Sequence, residues 1–163
     1  PAHLKEHGAT LVVVGFTISI HIAGMYAFSP IFGWLSDKIG KIQTVVVGQS
    51  IFIAALLFAG LGSEDHQSVL IGLFLLGLGW SAATVSASAL LASSLPVELK
   101  TNVQGLSDSL MNLSGAFGGA IAGSIMAALM FVGLNMAALV PVSVILILTG
   151  LTLLRDRKPA ASN

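Results

Sequence analysis

A chain of 163 residues with 55% apolar and 9% charged residues, zero net charge and no cysteine is excluded from most soluble classes, because a water-soluble domain carries about a quarter charged residues. The mean hydropathy of +0.95 and long stretches without Asp, Glu, Lys or Arg point to a chain whose solvent is lipid. No basic stripe marks a nucleic-acid partner, and the lack of cysteine rules out disulfides and thiolate metal sites.

The opening PAHLKEHGAT lacks an initiator Met and the order of a signal peptide, so it reads as a chain whose beginning is missing. His3, Glu6 and His7 have helical spacing, but a paired-imidazole site needs a further strong ligand, and no metal site is expected.

A hydrocarbon core about 30 Å thick takes roughly 20 apolar residues as a helix. Five charge-poor windows of that length follow in order. The first runs from about Ala9 to Trp34, with His21 near its middle. Two readings of His21 stand: a midplane imidazole that relays protons, or a hydrogen-bond donor to a neighbouring helix, which is the simpler of the two. The second window, about Thr44 to Leu61, contains VVVGQSIFIAALLF and reads as a lipid-facing helix.

The third window, about Ser68 to Ser93, carries Trp80, Thr84 and Ser88 on one helical face. In the fourth, about Thr101 to Met130, Gln104, Asp108 and Asn112 recur at intervals of four and form a polar stripe. Asp108 lies about 10 Å into that helix. An Asp at the hydrocarbon centre costs about 2.5 to 3.5 kcal/mol on insertion scales, so it faces protein or a watery cavity. Coupling or substrate contact and a purely structural hydrogen-bond network fit it equally. Gly115, Gly119 and Gly123, also at intervals of four, predict a close helix-packing face. The fifth window, about Gly133 to Leu154, is aliphatic, with Pro141 expected to bend it.

Strands are excluded because these runs are continuous rather than alternating, so the fold class is an all-α integral membrane protein with five transmembrane helices. Lys38, Lys41, Lys100, Arg155, Arg157 and Lys158 fall on one side of such a topology, whereas GSEDHQ and Lys5 fall on the other. By the positive-inside rule the amino end is expected outside and the carboxyl end in the cytoplasm.

Between the first two windows lies FSPIFGWLSDKIGK. Gly33 allows close helix approach, Gly40 suits a turn with positive φ, and Asp37 is suited to accept hydrogen bonds at a helix start. The pattern Gly33, Leu35, Ser36, Asp37, Lys38, Gly40 and Lys41, preceded by Pro30, resembles motif A of the major facilitator superfamily of secondary transporters. Ile42 departs from it, since members often carry a further basic residue there.

The resemblance implies a twelve-helix fold of two repeated halves, in which motif A follows the second and eighth helices. The segment 103–123 looks like an eleventh helix, so residues 1–163 are read as one partial transporter domain, helices eight to twelve, without a soluble domain; helices two to six is the alternative. It further implies gating by the motif, Trp80 and Thr84 as cavity-lining candidates, and a glycine face against the missing amino-terminal half.

The expected function is secondary active transport of a small solute by alternating access in the cell membrane, with proton-coupled efflux of a drug or metabolite as the favoured form and uptake as the open alternative. A non-transporting membrane receptor or assembly protein on the same scaffold is the rival. No nucleotide-binding loop and no metalloprotease or triad arrangement occurs, so neither a cofactor nor enzymatic activity is expected.

Overall fold

The computed structural model describes residues 11–62 and 65–156. His3, Lys5, Glu6, His7, Arg157 and Lys158 lie outside the described residues. Among those described, the elements are α-helices: α1 (Leu11–Tyr26), α2 (Ser29–Ile39), α3 (Lys41–Leu61), α4 (His66–Ser94) and α5 (Val97–Asp156).

The first expected span is α1 and α2 together, a 29-residue apolar stretch interrupted only at Ala27 and Phe28. Pro30 explains the interruption: it has no N–H to donate, and the break places it in the first turn of α2, where none is needed. The stretch continues to Ile39, five residues past the expected end at Trp34, so Asp37 and Lys38 sit on helix rather than in a loop.

A chain of 60 helical residues would be about 90 Å long, three times the hydrocarbon thickness. The break expected between the fourth and fifth spans is found within α5 at Met130, with φ 59° and ψ −174°. It is the residue of α5 with non-helical dihedrals, so the sharp break lies there and not at Pro141. The limb 131–156 starts near the Asp65 end of the bundle, since Phe131 packs with Leu73 against Val14 and Val69, and a Cβ on Gly60 would lie 3.0 Å from the Asn135 Cβ. The start of α5 lies towards the other end, where Gln104 meets Ser88.

Helix α4 is central. Gly77 and Gly79 are two residues apart, hence about 200° apart around the axis, and face different neighbours. Gly77 meets α1, where a Cβ would strike the backbone of His21 and Met25. Gly79 meets α3, where a Cβ would lie 3.0 Å from the Gly48 carbonyl oxygen and 3.1 Å from the Phe52 nitrogen. In lipid, where water does not drive helices together, such close approach supplies the van der Waals contact that holds them.

Pairs along α1–α2 and α4 keep a constant offset: His21 with Leu73, Ser29 with Ser81, Gly33 with Val85. The two therefore run parallel, and α3 runs antiparallel between them in sequence, with Gly48 near Ala83 and Ala59 near Gly72. This brings the α2–α3 turn, with Lys38 and Lys41, to the same end as the α4–α5 turn before Lys100. Asp65 lies at the opposite end.

The second expected span is not a lipid-facing helix. Gln49, Ala55, Leu56 and Ala59 of α3 are buried, and α3 is the most deeply enclosed of the membrane-length helices. Its small residues let it approach α4, which outweighs its aliphatic average.

Candidate functional site

The motif end is built by two helices meeting at one residue. Gly40, at φ 108° and ψ 150°, both ends α2 and precedes α3. That conformation is one L side chains rarely adopt, which is the reason for a glycine here. Its N–H donates to the Ser36 carbonyl at 3.1 Å, and its own carbonyl accepts from the Thr44 hydroxyl at 2.9 Å. The Lys38 Nζ lies 4.6 Å from the centre of the Trp34 ring, a cation–π contact within one helix.

Asp37 does not act as the expected cap. It lies in the last turn of α2, where carbonyls rather than N–H groups are free, and no side chain caps the start of α3. Its side chain is exposed, as is that of Lys38. Gly33 faces α4, where a Cβ would be in ordinary contact with Val85 at 4.0 Å, and Leu35 is half-buried.

The His21 Nδ1 lies 2.8 Å from the Leu73 carbonyl oxygen. A carbonyl only accepts, so Nδ1 is the donor of this bond. One residue thus ties α1 to α4.

Trp80 and Thr84 are half-buried on α4. The Trp80 ring meets Tyr26 edge to face, with centroids 5.8 Å apart. Farther along the same face, Ser88 accepts from Gln104 Nε2 at 3.4 Å, and the same amide donates to Asp108 Oδ1 at 2.9 Å. The hydroxyl face of α4 and the polar stripe of α5 are thereby brought together. Asn112 stays within its own helix, donating to the Asp108 carbonyl at 2.8 Å. Asp108 and Asn112 are exposed in this chain, and Cβ atoms at Gly115, Gly119 and Gly123 would meet nothing within 4 Å among the described residues.

The sequence assigns no contact to several polar residues that the fold brings together or buries. Ser29 donates to the Met25 carbonyl at 3.0 Å, so the 3.1 Å contact between Ser29 and Ser81 is a bond donated by Ser81. Ser36, Gln49 and Ser86 are buried with an oxygen lacking a hydrogen-bond partner among the described residues. The available signal was the repeat of Ser29 and Ser36 on α2 and of Ser81 and Ser88 on α4, each pair seven apart.

A cavity of about 320 Å³ opens between α3, α4 and the limb 131–156, lined by Leu56, Val69, Leu73, Phe131 and Asn135 among others. Its lining is apolar, and the Asn135 amide is occupied by the Phe131 carbonyl at 2.8 Å. It offers no group for chemistry.

At the opposite end, the Asp65 carboxylate begins α4. It accepts from the Ser68 hydroxyl at 2.7 Å, from the Ser68 N–H at 2.9 Å and from the Gln67 N–H at 3.4 Å. The hydroxyl bond first, then those N–H groups, hold this carboxyl below its ordinary range.

The family model described as Major Facilitator Superfamily matches residues 1–163. The chain is 40% identical over 128 residues to an uncharacterized MFS-type transporter, YddS, of Bacillus subtilis (strain 168), covering 78% of this chain and 29% of that protein. A second from the same organism, YdeG, also described as an uncharacterized MFS-type transporter, is 35% identical over 137 residues, 83% of this chain and 32% of that protein. The chain thus spans about a third of the length of the curated relatives it matches. No solved structure matches it.

Proposed function

The chain belongs to the major facilitator superfamily, and from that premise we propose that it forms helices eight to twelve of a transporter that moves a small solute by alternating access. The observation that carries this reading is the parallel pair α1–α2 and α4, locked through Gly24 and Gly77 and ending in the Gly40 turn. A rigid unit closed by a turn of the motif A type suits a half that rocks as one body.

In this reading the Lys38 and Lys41 end is cytoplasmic, following the positive-inside rule, and the cell membrane is the site of action. Exposed Asp37 engages a helix start in the amino-terminal half in one state and releases it in the other, with Gly33, Leu35 and Gly40 fixing its helix. The Gly115, Gly119 and Gly123 face packs on that same half. Trp80 and Thr84 line the solute path, and Gln104, Asp108 and Asn112 form the polar wall beside it.

Proton-coupled efflux of a drug or metabolite is the finer proposal. Asp108 is its favoured coupling group, because it is an ionisable residue within a membrane helix and is hydrogen-bonded to Gln104. Full-length protein in proteoliposomes loaded with a pH-sensitive dye tests it. The expected result is proton movement triggered by solutes that also raise the protein's melting temperature. Binding of such solutes without proton movement contradicts the coupling, and binding without solute flux favours a receptor.

A further inference from the structure

We propose that Ser36 and Ser88 are positioning residues that join the motif turn to Asp108, as the second rung of a hydroxyl ladder whose first rung is Ser29 and Ser81. The proposal deepens the transport reading above and rests on it.

The register carries the inference. Helices α1–α2 and α4 run parallel with one offset from His21 and Leu73, through Ser29 and Ser81, to Gly33 and Val85. The same offset pairs Ser36 with Ser88. Seven residues are nearly two helical turns, so Ser36 returns to the face of Ser29, and Ser88 to that of Ser81.

At the first rung the hydroxyls are 3.1 Å apart. At the second, the Ser36 hydroxyl is 2% exposed and without a partner among the described residues, a costly state for a polar group in an apolar span. Ser88 meanwhile accepts from Gln104, which also donates to Asp108. A hydroxyl both donates and accepts, so Ser36 donating to Ser88 completes a chain from Ser36 through Ser88 and Gln104 to Asp108. The other end of Ser36 already holds the motif, since its carbonyl accepts the Gly40 N–H at 3.1 Å. A change at Asp108 thereby reaches the Gly40 turn through the side chains of Gln104, Ser88 and Ser36.

Thiol labelling tests the link without any flux measurement, so an inactive transporter and a missing link give different results. The chain has no cysteine of its own; in the full-length protein any others are replaced, and Ile39→Cys places a reporter beside the turn. Asp108→Asn is expected to change its maleimide labelling rate about twofold or more, the size of modulation carried by single network residues. In Ser36→Ala and in Ser88→Ala that change is expected to vanish, and Ser88→Thr is expected to keep it. Should Ser36→Ala fail to fold, half-exposed Ser88 supplies the same test. An Asp108→Asn effect of equal size in the alanine variants, or no effect in the parent, overturns the proposal.

Discussion

Gly24 and Gly77 meet backbone to backbone: a Cβ on Gly24 would lie 3.3 Å from the Gly77 Cα and 2.8 Å from the Phe74 carbonyl oxygen. The obstacle is main chain, which cannot rotate away. Gly24→Val and Gly77→Val are therefore expected to destabilise the full-length protein by about 1–3 kcal/mol or more through overpacking, read as a lower melting temperature in detergent. Gly15→Ala, on the same helix as Gly24 with nothing within 4 Å of its Cβ position among the described residues, is expected to be neutral or slightly stabilising.

The bond from His21 to the Leu73 carbonyl distinguishes two replacements. Asn offers an N–H near the position of Nδ1, whereas Leu offers none. His21→Leu is expected to lose about 0.6 kcal/mol, the average for hydrogen bonds within a membrane bundle, and His21→Asn less than that in the same melting measurement. If His21→Asn melts normally yet transports without proton dependence, the Nε2 atom is a relay and the bond is not its whole role.

At the Gly40 turn, Gly40→Ala forces a Cβ onto a residue at φ 108° and ψ 150°. Strain of this kind costs about 1–3 kcal/mol. The expected result is weaker hydrogen-exchange protection of the Thr44 amide, which bonds to the Gly40 carbonyl at 3.1 Å. Unchanged protection there would show that the turn tolerates a side chain.

Asp65 predicts a pH dependence with a definite sign. Its folded-state pKa is lowered from the ordinary 3.8 by Ser68 and Gln67. Its contribution to the α4 start is thus fully present above that value and is lost as pH falls through the lower folded value. Amide exchange at Ser68 is expected to accelerate on acidification through that range, and to be fast at every pH in Asp65→Ala.

Much of this architecture is legible in the sequence, because hydropathy and charge report directly on span length and on where helices end. The break near Met130 and the turn at Gly40 follow from those signals. Burial within the bundle does not, since lipid and protein interior are equally apolar. For that reason VVVGQSIFIAALLF reads as lipid-facing although α3 is closely packed, and Gly77 and Gly79 stand out less than the regular Gly115, Gly119 and Gly123. Asp37 reads as a helix-start cap because the composition of a turn does not reveal which side of it a residue occupies. The Ser29, Ser36, Ser81 and Ser88 ladder needs the parallel register, which no single stretch contains.

Alternating access underlies every functional role proposed above, and Thr84 tests it most directly. In the full-length protein, Thr84→Cys is exposed to a membrane-impermeant thiol reagent added from either face of the membrane, in right-side-out and inverted vesicles. Labelling from both faces is expected, with bound solute shifting the balance between them. Labelling from one face alone, whatever the solute, would contradict alternating access.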